Sequence, residues 1–221
     1  NDNLKFNLSS RFLLKKRIIS VVNNAVDLNR VEIVNIKREN IVFGYIGTLS
    51  PIEGLDLLIK AFNNLYSNNA QNKLLIYGDG IELEKLKSLA KNNPLVEFKG
   101  KFDQTQISEV YSTIDVVINP RISNYLTNSV TPLKPLEAMA YKKLVLASDV
   151  GGIKELIEHN KTGYIFKSDS TTSIEKIVCD IISTNDFDHI VETAHKYILS
   201  DRSWKNNTKI YHEIYNQLIN E

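Results

Sequence analysis

Residues 127–140 read TNSVTPLKPLEAMA and lie between two apolar runs, 115–119 and 144–148. Each run has the length and composition of a buried strand. Thr131 and Pro132 predict a helix start between them. A threonine hydroxyl caps free N–H groups, and proline at the first helical position has no N–H to leave unsatisfied. A strand, a polar loop, a helix and a second strand form the βαβ unit of a parallel sheet.

The same alternation continues on both sides of this unit. Further strands are predicted at 41–47, 73–78, 96–100 and 163–167, and late helices at 170–184, 186–199 and 203–219. Pairs with capping-box spacing mark other helix starts: Ser50/Glu53, Asp79/Glu82 and Asp103/Gln106. The pattern predicts an α/β fold with a doubly wound, Rossmann-like parallel sheet and C-terminal helices. Right-handed crossovers place the first and fourth strands side by side, at a switch point where ligands bind.

The helix start after Thr131 is suited to an anion. Its free N–H groups and partial positive charge face the crevice at the carboxyl end of the strand. Lys134 adds a full positive charge, although the dipole alone favours acidic residues there. Glu137 lies on the second turn and leans back toward the helix start, so its carboxylate is expected to reach the crevice. A phosphate attached to a sugar with free hydroxyls fits this combination.

The loop after the first strand offers further candidates. Gly47 either lets a ligand approach the backbone or serves a tight turn needed only for packing. Thr48 and Ser50 can donate hydrogen bonds to phosphate, whereas Glu53 is predicted to be a helix cap rather than a catalytic group. The glycine spacing differs from the dinucleotide fingerprint, so a nicotinamide or flavin cofactor is not favoured.

Two other strand ends carry basic residues. Residues 99–101, which end in Lys101, either read a nucleobase or form a plain turn. Arg121 follows the fourth strand and either makes a bidentate contact with phosphate oxygens or remains solvated. The loop 121–130 is long for an α/β connection, which is typical of functional loops.

Composition limits the other functions. The chain has 221 residues, a net charge of +1 and 43% hydrophobic residues, which suit one α/β domain with flanking helices. The near-neutral charge argues against a nucleic-acid partner. The single cysteine, Cys179, is predicted to pack in the core. No Cys/His cluster indicates a metal, no nucleophile and base can be assembled, and no apolar run has the length of a membrane helix.

The first 30 residues do not look like the start of a domain. The chain does not begin with Met, so a piece of a longer protein is expected. Residues 8–19 are predicted to form a short basic helix. It is either a solvated face or a peripheral contact with an anionic membrane.

Several segments together resemble the C-terminal, donor-binding half of GT-B glycosyltransferases of family 4 (group 1), of the type common in bacterial surface-polysaccharide synthesis. The resemblance covers about residues 19–219. The segments that resemble the family follow one another in the family's order. They are VVNNAVD at 21–27, GYIG at 44–47, LIYGDG at 75–80, PLEAMA at 135–140, ASDVGG at 147–152 and NKTGY at 160–164. The final predicted helix, with Trp204, resembles the family's C-terminal tail, which crosses back to the N-terminal domain.

The resemblance implies a set of roles. Glu137 would hold the ribose hydroxyls of a nucleotide sugar of the UDP or GDP type. The backbone around Thr131, Pro132 and Leu133 would hold the pyrophosphate or the sugar, and the edge at Lys101 would face the base. The family transfers a sugar with retention of configuration and needs no metal or other cofactor.

The sequence also departs from the family pattern. Thr48 and Glu53 stand where many members have a phosphate-binding arginine and lysine. Asn128 and Ser129 stand where a glutamate that reaches the donor hexose is usual. Our hypothesis is that Arg121 and Lys134 replace the missing phosphate-binding pair.

The resemblance predicts three regions: a remnant of a missing N-terminal domain (1–30), a donor-binding domain (31–200) and a crossing helix (201–221). The implied enzyme moves a hexose to a polysaccharide or glycolipid at the cytosolic side of the membrane. The missing domain would bind the acceptor, so this chain is expected to bind nucleotide without turnover. Two alternatives remain: a binding module that has lost catalysis, and a nucleotide-sugar epimerase, which the pattern at 135–152 favours less.

Overall fold

A computed structural model describes residues 2–11, 19–34, 36 and 38–220, and in these ranges it shows a six-stranded parallel sheet. The strands are β1 (Phe43–Ile46), β2 (Leu74–Tyr77), β3 (Val96–Gly100), β4 (Val116–Asn119), β5 (Leu144–Ser148) and β6 (Tyr164–Phe166). Their order in the sheet is β3-β2-β1-β4-β5-β6. The predicted fold class and all six strands are confirmed, with ends that differ by up to two residues.

The α-helices are α1 (Asp2–Arg11), α2 (Leu55–Ser67), α3 (Leu83–Ala90), α4 (Ile107–Ser112), α5 (Tyr125–Ser129), α6 (Lys134–Ala140), α7 (Gly151–Lys154), α8 (Thr171–Thr184), α9 (Asp188–Asp201) and α10 (Trp204–Ile219). Short 3-10 turns cover Leu28–Arg30, Pro51–Glu53 and Gln104–Gln106. Helix α5 lies inside the long loop 121–130, and an Asn124–Thr127 capping box begins it.

Helices cover both faces of the sheet because strand side chains alternate between the faces. Phe43 and Tyr45 of β1 pack in one apolar cluster with α2, α3 and α8. Ile46 packs in a second cluster with α4, α6, α7 and α9. Strands buried on both faces read as continuous apolar runs, which explains why the sequence located them well.

Strands β1 and β4 are neighbours, with Phe43 beside Val116 and Gly44 beside Val117. The chain leaves β1 for α2 on one face and leaves β4 for α6 on the other. This divergence opens a crevice at the carboxyl ends of the two strands. The predicted switch point is therefore confirmed.

The predicted helix start at Thr131 and Pro132 is wrong. Helix α6 begins at Lys134, and its N-cap residue Leu133 makes no side-chain capping bond. The Thr131 hydroxyl instead donates a 2.9 Å hydrogen bond to the Glu155 carboxylate. Glu137 consequently lies in the first turn of α6 rather than in the second.

Other local predictions differ from the structure. The Asp79/Glu82 capping box is absent, because Asp79 accepts the N–H of Gly80 and α3 begins without a side-chain cap. The Asp103/Gln106 box is confirmed, as the start of the turn Gln104–Gln106. Cys179 is exposed rather than buried, because it lies beside the stripe of α8 that faces the core.

The N-terminal predictions are only partly covered by the described residues. Helix α1 includes residues 8–11 of the predicted basic helix, and residues 12–18 lie outside the described residues. The Val26 N–H donates to the Arg202 carbonyl at 2.8 Å, and the Asn207 side chain donates to the Asn23 carbonyl. Residues 23–26 thus pack against the junction of α9 and α10.

Helices in the described ranges are too short or too polar to cross a bilayer. Among the same residues, His, Cys, Asp and Glu side chains form no group of three or more that could hold a metal ion.

Candidate functional site

A carboxylate, two cations and a tyrosine meet at the carboxyl ends of β1 and β4. Glu53 ends the 3-10 turn after β1, Arg121 lies two residues after β4, and Lys134 begins α6. The Glu53 Oε1 atom lies 3.3 Å from Arg121 Nη2, and its Oε2 atom lies 3.3 Å from Lys134 Nζ. Lys134 Nζ also donates a 2.8 Å hydrogen bond to the Tyr45 hydroxyl. We call these four residues the cation cluster.

Two glycines allow the cluster to form. Gly54 has φ +68°, and an added Cβ would overlap the carbonyl oxygen of Pro120, so the loop after β1 can press against the loop after β4. Gly47 has φ +152°, and an added Cβ would overlap the Lys134 amine. Both φ values lie in the region that favours glycine. The Lys134 amine therefore lies where a side chain at position 47 would begin.

Charge and burial make the cluster an anion-binding arrangement. Two cations and one carboxylate leave one net positive charge. Glu53 is only 5% exposed, whereas the Lys134 side chain is 27% exposed and reaches the crevice. Burial lowers the pKa of Lys134, and the nearby Glu53 carboxylate opposes this. Burial and the charge of Glu53 raise the pKa of Tyr45, whose protonated hydroxyl donates to the Thr48 carbonyl at 2.8 Å.

Arg121 has unused hydrogen-bonding capacity. Its buried Nε and Nη1 groups have no hydrogen-bond partner among the described residues, and the same is true of Glu53 Oε2 and Asn119 Nδ2. Buried polar groups in folded proteins nearly always have such a partner. Unsatisfied guanidinium N–H groups at a ligand-binding edge of the sheet therefore fit an anionic acceptor.

Glu137 lies one helical turn after Lys134 on the same helix. Burial raises its pKa, and the charge of Lys134 partly offsets the rise. Its carboxylate has no hydrogen bond or ion pair to the described residues. Both oxygens are thus available to accept hydrogen bonds from a ligand.

The backbone segment before α6 is only partly exposed. Thr131 and Pro132 are buried, Leu133 is half exposed, and the helix itself has only seven residues. Arg121 and Lys134 supply the two full positive charges of the cation cluster.

Asn128 and Ser129 lie on α5, which packs against α7. The Asn128 side chain accepts the N–H of Gly151 at 2.8 Å and donates to the Asn124 carbonyl at 2.8 Å. Ser129 is buried. Asn128 thus satisfies a free N–H at the start of α7.

Thr48 and Lys101 lie at the rim of the same edge. Thr48 is exposed, and its carbonyl is the acceptor for Tyr45. Lys101 is exposed and lies 3.1 Å from the Asp79 carboxylate, on the β2–β3 side of the sheet. Neither side chain has a described contact with Arg121 or Lys134.

Sequence reasoning missed the role of Glu53, because its spacing from Ser50 suggested a cap. Ser50 makes no side-chain capping bond in the structure, and Glu53 points into the cation cluster instead. One signal was available: a lysine in the first turn of a helix opposes the dipole, so a nearby carboxylate would stabilise Lys134 there.

A cavity of about 670 Å³ lies at the opposite edge of the sheet. Its lining includes Arg38, Asp115, Lys142, Lys143 and Glu192, and Asp115 and Lys143 directly precede β4 and β5. Ligands of parallel α/β sheets bind at the carboxyl ends of the strands. The cation cluster is therefore the better candidate site.

The sequence model of the family described as "Glycosyl transferases group 1" matches residues 28–199. This chain belongs to the group 1 glycosyltransferase family. The predicted resemblance is thus confirmed at the level of the family.

Curated relatives of this family member include an uncharacterized glycosyltransferase and a glycogen synthase. An uncharacterized glycosyltransferase of Methanocaldococcus jannaschii is 27% identical in an alignment of 213 positions that covers 91% of this chain and 53% of that protein. A glycogen synthase of Thermodesulfovibrio yellowstonii is 25% identical over 95% of this chain and 42% of that protein. The chain spans about half the length of these relatives.

Solved structures show the same fold at low sequence identity. A glycosyltransferase of Rickettsia africae superposes with a TM-score of 0.82 at 18% identity, over 99% of this group 1 chain and 62% of that one. The Anabaena protein HepE, solved in complex with UDP and glucose, has a TM-score of 0.75 at 20% identity, over 94% of this chain and 58% of that one.

Proposed function

We propose that this chain is the donor-binding part of a retaining, metal-independent glycosyltransferase. The enzyme moves a hexose from a nucleotide-diphosphate sugar to a polysaccharide or glycolipid acceptor. The observation that carries the proposal is the cation cluster at the switch point, where Arg121 keeps two unsatisfied N–H groups. The UDP-bound Anabaena neighbour and the family membership support a nucleotide-sugar ligand.

In this proposal Arg121 and Lys134 hold the diphosphate. The bond between the sugar and the β-phosphate oxygen breaks, and the electron pair stays on that oxygen. The negative charge that develops on the leaving diphosphate is stabilised by fixed cations close to it. Arg121 offers a planar fork for two phosphate oxygens, while Lys134 acts as a point charge.

Glu137 binds the ribose in the same proposal. Its carboxylate accepts hydrogen bonds from the two ribose hydroxyls, one helical turn from the Lys134 that holds the phosphates. The base lies toward Lys101 at the end of β3, and the hexose lies toward Asn128, Ser129 and the segment 131–133. Thr48 and Gly47 form the wall of the crevice after β1.

The acceptor is expected to bind to a second domain that faces this crevice. Helix α10 supports such a neighbour because it exposes many large apolar side chains: Trp204, Ile210, Tyr211, Tyr215, Leu218 and Ile219. Action at the cytosolic face of a membrane, with a peripheral contact through the N-terminal basic segment, is part of this proposal. Nucleotide binding without turnover is the expected behaviour of this chain alone.

Calorimetry with UDP, GDP, UDP-glucose and GDP-mannose tests the proposal. The wild-type chain should bind at least one of them, and the double variant Arg121→Ala/Lys134→Ala should lose at least about 100-fold in affinity, since hydrogen bonds to charged groups contribute roughly 1.5–3 kcal/mol each. Lys142→Ala is a matched control, because it removes a cation at the opposite edge of the sheet.

The double variant leaves Glu53 buried without its partners, which costs stability by itself. A triple variant that adds Glu53→Gln removes this charge and should remain folded but still bind weakly. Unchanged affinity in both variants would refute the phosphate-binding role. If the wild type binds none of the four ligands, the binding module without nucleotide chemistry is the better assignment.

A further inference from the structure

We propose that Glu53 is a counter-ion within the site, which lowers the affinity of the site for diphosphate and so speeds release of the nucleoside diphosphate. This inference rests on the proposed function, because it concerns the same site. Glu53 acts through the charges of Arg121 and Lys134, and it sets how long the product stays bound.

The geometry places Glu53 in competition with a phosphate. Its two oxygens lie 3.3 Å from Arg121 Nη2 and 3.3 Å from Lys134 Nζ, so one carboxylate already engages both cations. Its side chain is only 7% exposed, so its carboxylate lies inside the fold beside the two cations. Any phosphate that binds these cations must therefore lie close to a fixed negative charge.

The energy of this repulsion depends on the charge of the ligand. In a partly buried site the interaction between charges is screened less than in bulk water. The donor carries two negative charges on its diphosphate, and the free nucleoside diphosphate carries a third, because the glycosidic electron pair stays on the leaving oxygen. Glu53 consequently penalises the product more than the donor.

A purely structural role predicts the opposite result. If Glu53 only held Arg121 and Lys134 in place, its removal would loosen both cations and weaken nucleotide binding. If Glu53 is a counter-ion, its neutralisation leaves a cluster with two net positive charges instead of one, and binding becomes tighter. The direction of the change therefore separates the two roles.

The test compares the full 221-residue chain with Glu53→Gln, a change that keeps the size of the side chain. Calorimetry and stopped-flow measurements would use UDP, UDP-glucose, GDP and GDP-mannose. We expect Glu53→Gln to bind the nucleoside diphosphate about tenfold tighter, mainly through slower dissociation, since one neighbouring charge typically changes ionic equilibria by about one logarithmic unit or more. The gain for the sugar nucleotide should be smaller.

Glu192→Gln is the matched control, because it removes one negative charge at the opposite edge of the sheet, where Glu192 pairs with Lys142 at 2.6 Å. It should leave nucleotide affinity unchanged. Glu53→Asp keeps the charge and should not tighten binding. If Glu53→Gln lacks a cooperative thermal transition, Glu53→Ala replaces it in the same measurements.

The outcomes separate the two proposals. Nucleotide binding by the wild type without a gain in a folded, neutral Glu53 variant overturns the counter-ion role and leaves the proposed function standing. Equal gains for the diphosphate and the sugar nucleotide overturn the effect on release. Failure of both proteins to bind any of the four ligands overturns the proposed function and this inference with it.

Discussion

Arg38 and Arg121 occupy opposite edges of the same sheet, and each pairs with a carboxylate. At the amino edge, Arg38 Nη1 lies 2.7 Å from Asp115 Oδ1, and Arg38 Nη2 donates to the Ser112 carbonyl. At the carboxyl edge, Arg121 Nη2 lies 3.3 Å from Glu53, and two of its buried N–H groups have no partner among the described residues.

The two carboxylates, Asp115 and Glu53, also differ in how fully their oxygens are hydrogen-bonded within the fold. The second oxygen of Asp115 accepts the N–H of Val42 at 2.8 Å, so this ion pair also joins β1 to β4. Glu53 is shared by two cations, and its Oε2 atom makes no hydrogen bond to the described residues. A pair whose donors and acceptors are satisfied within the fold stabilises the fold, whereas a net positive, partly unsatisfied cluster is suited to a ligand.

The largest expected effect breaks the satisfied pair. Asp115→Ala leaves Arg38 without its carboxylate and the Val42 N–H without its acceptor. The free energy of unfolding should therefore fall by about 2–3 kcal/mol. This is less than the roughly 3–5 kcal/mol typical of fully buried pairs, because the Arg38–Asp115 pair is partly exposed. Urea denaturation measures the loss. Nucleotide affinity of the folded fraction should stay unchanged, and a loss of affinity as large as that of an Arg121 variant would erase the distinction between the two edges.

A smaller effect is expected from Gly47→Ala at the unsatisfied edge. The added Cβ would overlap the Lys134 amine and displace it from Tyr45 and Glu53. We expect nucleotide affinity to fall about tenfold, equivalent to about 1.4 kcal/mol. Calorimetry measures the change.

A double-mutant cycle shows whether this effect passes through Lys134. In the Lys134→Ala background the Cβ has no amine to displace, so Gly47→Ala should add little further loss of affinity. Equal losses in both backgrounds would mean that the glycine serves only the backbone conformation at φ +152°.

The parts of this comparison that the sequence predicted are those that depend on local pattern. Continuous apolar runs located the strands, and the connection rules placed β1 beside β4. The positions of Arg121 after β4 and of Lys134 and Glu137 on the helix before β5 also followed from this pattern, whereas their roles in binding stay predictions.

The parts that the sequence missed depend on contacts between distant segments. Ser50 and Glu53 have the spacing of a capping box, which suggested that Glu53 is a cap. Only the folded chain brings Glu53 to Arg121, which lies 68 positions later in the sequence. Thr131 has the residue type of a helix cap, but Glu155 holds its hydroxyl. Local propensity cannot resolve such competition, because the winning partner is set by tertiary packing.

The smallest expected effect concerns Glu137, which has no described hydrogen bond or ion pair, in contrast to Asp115. Burial raises its pKa above the ordinary value of a glutamate, so it gains a proton at a higher pH than an exposed carboxylate does. The ionised form is the better acceptor for ribose hydroxyls. The contribution of Glu137 to nucleotide affinity should therefore be complete above this raised pKa, and the affinity should fall severalfold as the pH drops through it, since a charged acceptor adds about 1 kcal/mol over a neutral one.

The phosphates of the ligand also titrate in acid, so the wild type must be compared with Glu137→Gln, which keeps the size of the side chain and one carbonyl acceptor. The ratio of the two affinities cancels the titration of the ligand. We expect the wild type to bind more tightly near neutral pH and the ratio to approach one as Glu137 becomes protonated. A ratio that does not vary with pH would mean that Glu137 does not contact the ribose through its ionised form.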